Sequence, residues 1–284
     1  MKQKLSKLII SSLIILFSFN SPAIGTVFPG LKKILDRGEI IISFTPNSTA
    51  MFTEVDDQKN ITGIDVEVAR LIAKELGVKL KIIKSAPDWN GIVEEVAANK
   101  ADLGISFLSI TTERSKKILY SIPYVQIRQA LLFNNLSTAI QRKNGVNVIK
   151  DMFTNKESMV IGVFAGSSYV DFANNMFPGV KIKQYETTEE LIKSTLKRDI
   201  DAVLVDELEL FAALRKDPGL KVKLTEIILK DQPDLISVAV DPTNRDLLEF
   251  INNVLRVRQV NYTVNSAYLH TLEQQKLKAL NDKK

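Results

Sequence analysis

Between positions 101 and 124 the chain gathers groups that could hold a small charged molecule. Ser106, Ser109, Thr111 and Thr112 crowd one stretch, which continues through Glu113 and Arg114 to Tyr120-Ser121-Ile122-Pro123-Tyr124. A guanidinium can grip a carboxylate through two parallel hydrogen bonds, which an ammonium cannot match. The plainer reading of Arg114 is a surface cation paired with Glu113. A second cluster is Gly166-Ser167-Ser168, where free N–H groups of an expected helix N-terminus would favour an anion; helix capping alone is the alternative. Asp206 ends the apolar run Ala202-Val203-Leu204-Val205. An unpaired carboxylate in that position is costly, and the alternative role is the N-cap of a helix from Leu208 onward. Trp89, the only tryptophan, is either a wall for a ligand or ordinary core.

These groups need a scaffold, and the patterning supplies one. Glu39-Ile40-Ile41-Ile42-Ser43 reads as a strand. Ile64, Val68, Leu71, Ile72 and Leu76 recur at helical spacing, with Gly77 at the C-cap position. Leu80-Lys81-Ile82-Ile83 reads as a strand, Ile92, Val93, Val96 and Ala97 mark a helix, and residues 101–106 read as a third strand. The alternation implies βαβ units and a mostly parallel sheet. It restarts with the strand Met159-Val160-Ile161-Gly162-Val163, the strand Lys181-Ile182-Lys183 and a helix opened by the capping-box form Thr187-Thr188-Glu189-Glu190. From Thr243 the tail is helical, with Leu247, Ile251, Val254 and Leu255 on one face. The expectation is an α/β fold of two lobes, 28–130 with 236–284 and 131–235, joined by two crossing strands near Gln129 and Ile236. In such sheets ligands lie at the carboxyl ends of the strands.

The chain has 284 residues, 45% hydrophobic and 25% charged, enough for a substantial core. Residues 1–25 read as a signal peptide: Lys2, Lys4 and Lys7, then an apolar run over residues 8–19, then Ala23-Ile24-Gly25 as a cleavage site. An uncleaved anchor is the alternative. Without those three lysines the formal charge drops from +5 to +2, 35 basic against 33 acidic residues. The basic residues are scattered among acids, so nucleic acid is not an expected partner. The sequence contains no Cys, which excludes disulfides, thiol catalysis, thiolate metal sites and a lipidated cysteine. The expected location is the periplasm, free of a lipid anchor, and no cofactor or metal is expected.

Several stretches together resemble the bacterial extracellular solute-binding proteins for polar amino acids. They are Thr62-Gly63-Ile64-Asp65, Asp88-Trp89-Asn90-Gly91-Ile92, Lys100-Ala101-Asp102, Ser109-Ile110-Thr111 with Glu113-Arg114, Tyr120-Ser121-Ile122-Pro123-Tyr124, Gly162-Val163 with Gly166-Ser167-Ser168, and Asp201-Ala202-Val203 with Asp206. The resemblance implies that Arg114 clamps a ligand carboxylate with help from Ser109. It implies that Ser167 and Ser168 serve the same carboxylate from the second lobe, that Asp206 accepts from the ligand ammonium, and that Trp89 lies against the ligand side chain. Two departures stand out. Phe107 occupies a position that is small in the family, so its ring either narrows the pocket or swings away. The loop 44–52 lacks the family's aromatic, with Ser48 or Thr49 in its place, and Phe44 or Phe52 as candidates to compensate; relatives that take cationic side chains tend to carry acids in this loop, whereas the nearest here are Glu54 and Asp56, so the resemblance favours a neutral ligand side chain.

The resemblance further implies a monomer that hands an amino-acid-like ligand to the membrane permease of an ABC importer. The alternatives are a periplasmic dehydratase of the cyclohexadienyl type on the same fold, which would need a general acid or base over its substrate, and a ligand sensor that feeds no transporter. His270, in the helical tail, is expected at the surface and away from the pocket.

Overall fold

The structure is a computed structural model that describes residues 29–47, 51–55, 61–137 and 159–281. The expected signal peptide and cleavage site, and Ser48 and Thr49, lie outside the described residues.

Two five-stranded sheets organise the described residues. In the first lobe, helix α1 (Pro29–Arg37) leads into β1 (Glu39–Ser43). A short antiparallel ribbon, β2 (Glu54–Val55) with β3 (Ile61–Thr62), precedes α2 (Ile64–Leu76). Ile64, Val68 and Ile72 of α2 are buried at four-residue spacing, the stripe that seats a helix on a sheet. Gly77 ends α2 at φ 69, in the left-handed region that lets the chain turn back. β4 (Lys79–Ile83) then pairs parallel with β1. Helix α3 (Trp89–Ala97) carries the chain over to β5 (Leu103–Gly104), parallel to β1 on its other side.

The strand expected over 101–106 keeps only two ladder residues. The Ser106 carbonyl accepts from Trp89 Nε1 at 2.9 Å, and Phe107 turns the chain at φ 51, so the ladder stops where the binding loop begins. After a short 3-10 turn (Arg114–Lys116), β6 (Leu119–Tyr120) and the late strand β12 (Ala239–Val240) complete the order β4-β1-β5-β12-β6.

In the second lobe, β8 (Val160–Phe164), α4 (Ser168–Met176), β9 (Lys181–Tyr185), α5 (Thr188–Lys197) and β10 (Ala202–Asp206) form successive βαβ units, with β8 parallel to both β9 and β10. Thr187 Oγ1 accepts from the N–H of Glu190 at 3.1 Å, which caps α5 as the sequence pattern requires. Helices α6 (Glu207–Lys216) and α7 (Leu220–Lys223) follow. Both sheets are mixed: the βαβ units supply the parallel half, and strands that return from elsewhere supply the antiparallel half.

Two long antiparallel neighbours, β7 (Val125–Asn134) and β11 (Leu224–Ile236), join the lobes. On β7, Val125 and Ile127 belong to the first lobe's core, while Leu131 and Phe133 belong to the second's. On β11, Ile236 lies in the first core and Leu229 packs on the second. The register of β11 shifts between Leu229 and Pro233. A proline lacks the N–H a ladder needs and is tolerated at an irregularity on an edge strand, which is where β11 lies. The tail returns to the first lobe as α8 (Arg245–Val257), with Leu247, Ile251, Val254 and Leu255 buried, followed by α9 (Val264–Asn281). His270 of α9 is not a bare surface residue: it is half-buried, with Nε2 2.7 Å from Glu67.

Candidate functional site

The carboxyl ends of β5, β8 and β10 face one another across the seam between the lobes. Trp89, Phe107, Ser109 and Arg114 from the first lobe and Phe164, Ser167, Ser168, Tyr169, Val205, Asp206 and Glu209 from the second enclose a cavity of about 40 Å³. On that measure a water needs about 10–15 Å³, so anything the size of an amino acid requires the lobes to part.

Arg114 is 4% exposed, so the plain reading as a surface cation does not hold. Its Nε donates to Asn90 Oδ1 at 3.0 Å and its Nη1 to the Ser109 carbonyl at 3.2 Å. Its Nη2 is buried without a hydrogen-bond partner. Glu113, expected as its surface mate, pairs with Lys116 instead. Burial pushes the guanidinium's pKa down, opposed by Tyr120, Asp171, Asp234 and Asp88; an arginine nonetheless keeps its charge. Tyr120 donates to the same Ser109 carbonyl at 3.2 Å, so the guanidinium is held in place from two sides and one of its nitrogens is left over.

The second lobe brings its serines to the same place, in different ways. Ser167 Oγ donates to the Phe164 carbonyl at 2.7 Å and accepts from Tyr169 N, which makes it the N-cap of α4. Ser168 Oγ donates across the seam to Ser109 Oγ at 2.9 Å. Asp206 is an N-cap, the alternative role considered for it, and it also faces the seam. Its Oδ1 accepts from Glu209 N at 2.6 Å, capping α6, while its Oδ2 lies 3.2 Å from the Tyr169 hydroxyl. Burial, together with the Glu209 carboxylate, raises its pKa to about 7.

The two aromatic side chains both line the cavity and are held in different ways. Trp89 is anchored through its Nε1–H, and its ring stands edge-on to Phe164 of the opposite lobe at 5.5 Å. Phe107 does not swing away: it lines the cavity with its ring 4.7 Å from Phe52. It holds a left-handed backbone, at φ 51, that disfavours non-glycine residues. Buried Asp65 ties down the neighbouring loop: it accepts from Thr53 Oγ1 at 2.6 Å and from the Tyr124 hydroxyl at 2.6 Å, and its own N–H donates to the Phe52 carbonyl at 3.0 Å. Gly63 just before it sits at φ 106, where a Cβ would overlap the Phe52 carbonyl. The Gly63-Ile64-Asp65 motif is therefore a brace for the pocket loop.

Sequence reasoning missed Tyr169, Phe164, Glu209 and Asp234. Asp234 is buried on β11, where Ser109 Oγ donates to its Oδ2 at 3.1 Å and the Tyr169 hydroxyl at 2.9 Å; its Oδ1 has no partner. Burial raises its pKa to about 6, against the pull of Ser109, Tyr169 and Arg114. The one sequence signal was an acid set between Pro233 and the apolar Leu235-Ile236. Among the described residues, no group of three or more His, Cys, Asp or Glu side chains is placed to hold a metal.

Two α/β lobes that converge an arginine and a buried carboxyl on one seam have the build of a solute-binding protein. The chain belongs to the bacterial extracellular solute-binding proteins, family 3, whose family model matches residues 41–271. It is 24% identical over 237 residues to the L-cystine-binding protein TcyJ of Escherichia coli (strain K12), covering 83% of each protein. It is also 24% identical over 253 residues to ABC transporter arginine-binding protein 1 of the same strain, covering 88% of this chain and 92% of that protein. The solved structure of holo ArgBP from T. maritima matches with a TM-score of 0.62 at 26% identity, over 80% of this chain and 93% of that one.

Proposed function

We propose that this protein is the periplasmic substrate-binding component of an ABC importer and that it closes its lobes on a small amino acid or related zwitterion. The observation that carries this reading is Arg114: a buried guanidinium with two nitrogens fixed by the protein and Nη2 left without a partner. A ligand carboxylate would complete it, with Ser109 and Ser168 beside it. Asp206, on the opposite wall, would accept from the ammonium, and Trp89 and Phe107 would bound the side chain. The lobes divide as 28–130 with 236–284 and 131–235, the signal peptide is removed, and the closed form docks on a membrane permease. The arginine- and cystine-binding relatives support an amino-acid ligand.

A thermal-shift screen against the twenty amino acids, cystine and common small carboxylates tests the reading. A ligand at a hundred times its dissociation constant should add about 2.7 kcal/mol of stability. A screen without any stabilising compound would overturn it. So would formation of phenylpyruvate from prephenate, which would place the protein among the dehydratases instead.

A further inference from the structure

Five oxygens form a continuous chain across the seam: Asp206 Oδ2, the Tyr169 hydroxyl, Asp234 Oδ2, Ser109 Oγ and Ser168 Oγ, at successive separations of 3.2, 2.9, 3.1 and 2.9 Å. Tyr169 has one proton and two carboxyl neighbours. If it donates to Asp234, two bare oxygens face each other at Asp206 unless Asp206 carries a proton; if it donates to Asp206, the same holds at Asp234. The chain therefore needs one proton more than its three hydroxyls bring.

The other end fixes where that proton sits. Ser168 donates to Ser109, so Ser109 must spend its own proton on Asp234, and Tyr169 makes the shorter of its two contacts there as well. Asp234 thus receives two donors and lies within the field of Arg114, which suits the ionised form. Among the described residues, no cation is among the groups that shift Asp206. Glu209 on α6 and Asp234 on β11 are both acidic, Tyr169 on α4 is neutral, and its partner on β7 is the neutral Gln129. The nearby Arg128 of β7 is turned to Glu207.

We propose that Asp234 is a positioning residue of the binding site: through Tyr169 it holds a proton on Asp206, so that the second lobe's acceptor is a neutral carboxylic acid while the lobes are in contact. The chain then runs in one direction, Asp206 O–H to Tyr169 O–H to the Asp234 carboxylate. An ammonium arriving at Asp206 would displace that proton to solvent, and its capture would weaken as the medium becomes acidic. This consequence rests on the proposed function; the proton arrangement itself does not.

Infrared titration of the ligand-free full-length protein tests it, and fails or succeeds independently of any ligand. The wild type should show a neutral-carboxyl C=O band with a component that disappears as pH rises through about 7, the range expected for Asp206. Asp206→Asn, which keeps an acceptor for Glu209 N, should remove that component. Asp234→Asn should move it to lower pH, since the negative charge that holds the proton is gone. The proposal is overturned if Asp206→Asn leaves the band and its titration unchanged, or if Asp234→Asn leaves the Asp206 component where it was.

Discussion

At the scale of single residues, Arg114 sets the strongest expectation. Arg114→Lys keeps the charge but cannot reproduce a planar fork already bonded to Asn90 and Ser109. Affinity for the ligand found by screening should fall by about 2 kcal/mol or more, read by calorimetry; an unchanged dissociation constant would remove Arg114 from the site. The buried acids give a pH dependence of stability. Asp65, Asp206 and Asp234 have folded pKa values raised from 3.8 to about 6, about 7 and about 6. A raised folded pKa contributes stability that is fully present below the unfolded value and is lost as pH rises through the folded one. The thermal midpoint of the ligand-free protein should therefore decline as pH rises from about 4 to about 7, and Asp206→Asn should flatten the upper part of that decline; a wild-type midpoint that rises over this range would contradict it. Arg114, Ser109, Ser168, Trp89 and Asp206 are singled out through the family resemblance, because residue type alone leaves Arg114 open as a surface cation, Ser168 and Asp206 as helix caps and Trp89 as ordinary core. Tyr169 and Asp234 are not, because an aromatic inside a helix and an acid after a proline have many other reasons to be there.

At the scale of elements, the turn between β8 and α4 carries the clearest constraint. Gly166 sits at φ 65, and a Cβ there would overlap the carboxyl of Asp88, the N-cap of α3 in the opposite lobe. Gly166→Ala should cost about 1–2 kcal/mol for the left-handed backbone, and it should also keep the lobes from meeting. Ligand affinity should fall by more than the backbone cost alone accounts for, measured by pairing calorimetry with thermal unfolding; equal losses would mean that the Asp88 contact is irrelevant to closure. Most helices and the parallel strands could be read from apolar spacing and from caps such as Gly77 and Thr187. The expected strand 101–106 was too long because hydropathy does not register that the Ser106 carbonyl is taken by Trp89. β11 was expected only as a crossing near Ile236; its reach back to Leu224 went unread because Lys230-Asp231-Gln232-Pro233 interrupts its apolar pattern at the register shift.

At the scale of the whole molecule, the two-lobe plan was legible because the βαβ pattern restarts after Met159, whereas the closeness of the lobes was not, since it depends on pairs remote in sequence. They meet at the ligand seam through Ser168 with Ser109 and Phe164 with Trp89. They meet again behind it, where Phe211 of α6 lies 5.3 Å from Tyr268 of α9 and Arg215 stacks over the same ring at 4.7 Å. A cavity of about 40 Å³ cannot admit an amino acid without opening at the β7–β11 crossing. A ligand that touches both walls binds the closed form better, and that difference in affinity shifts the population. Small-angle scattering, with and without the amino acid that stabilises most in the screen, reads this directly. A clamp predicts a smaller radius of gyration at saturating ligand, and a lesser contraction in Asp206→Ala. A scattering curve unchanged by saturating ligand would contradict it.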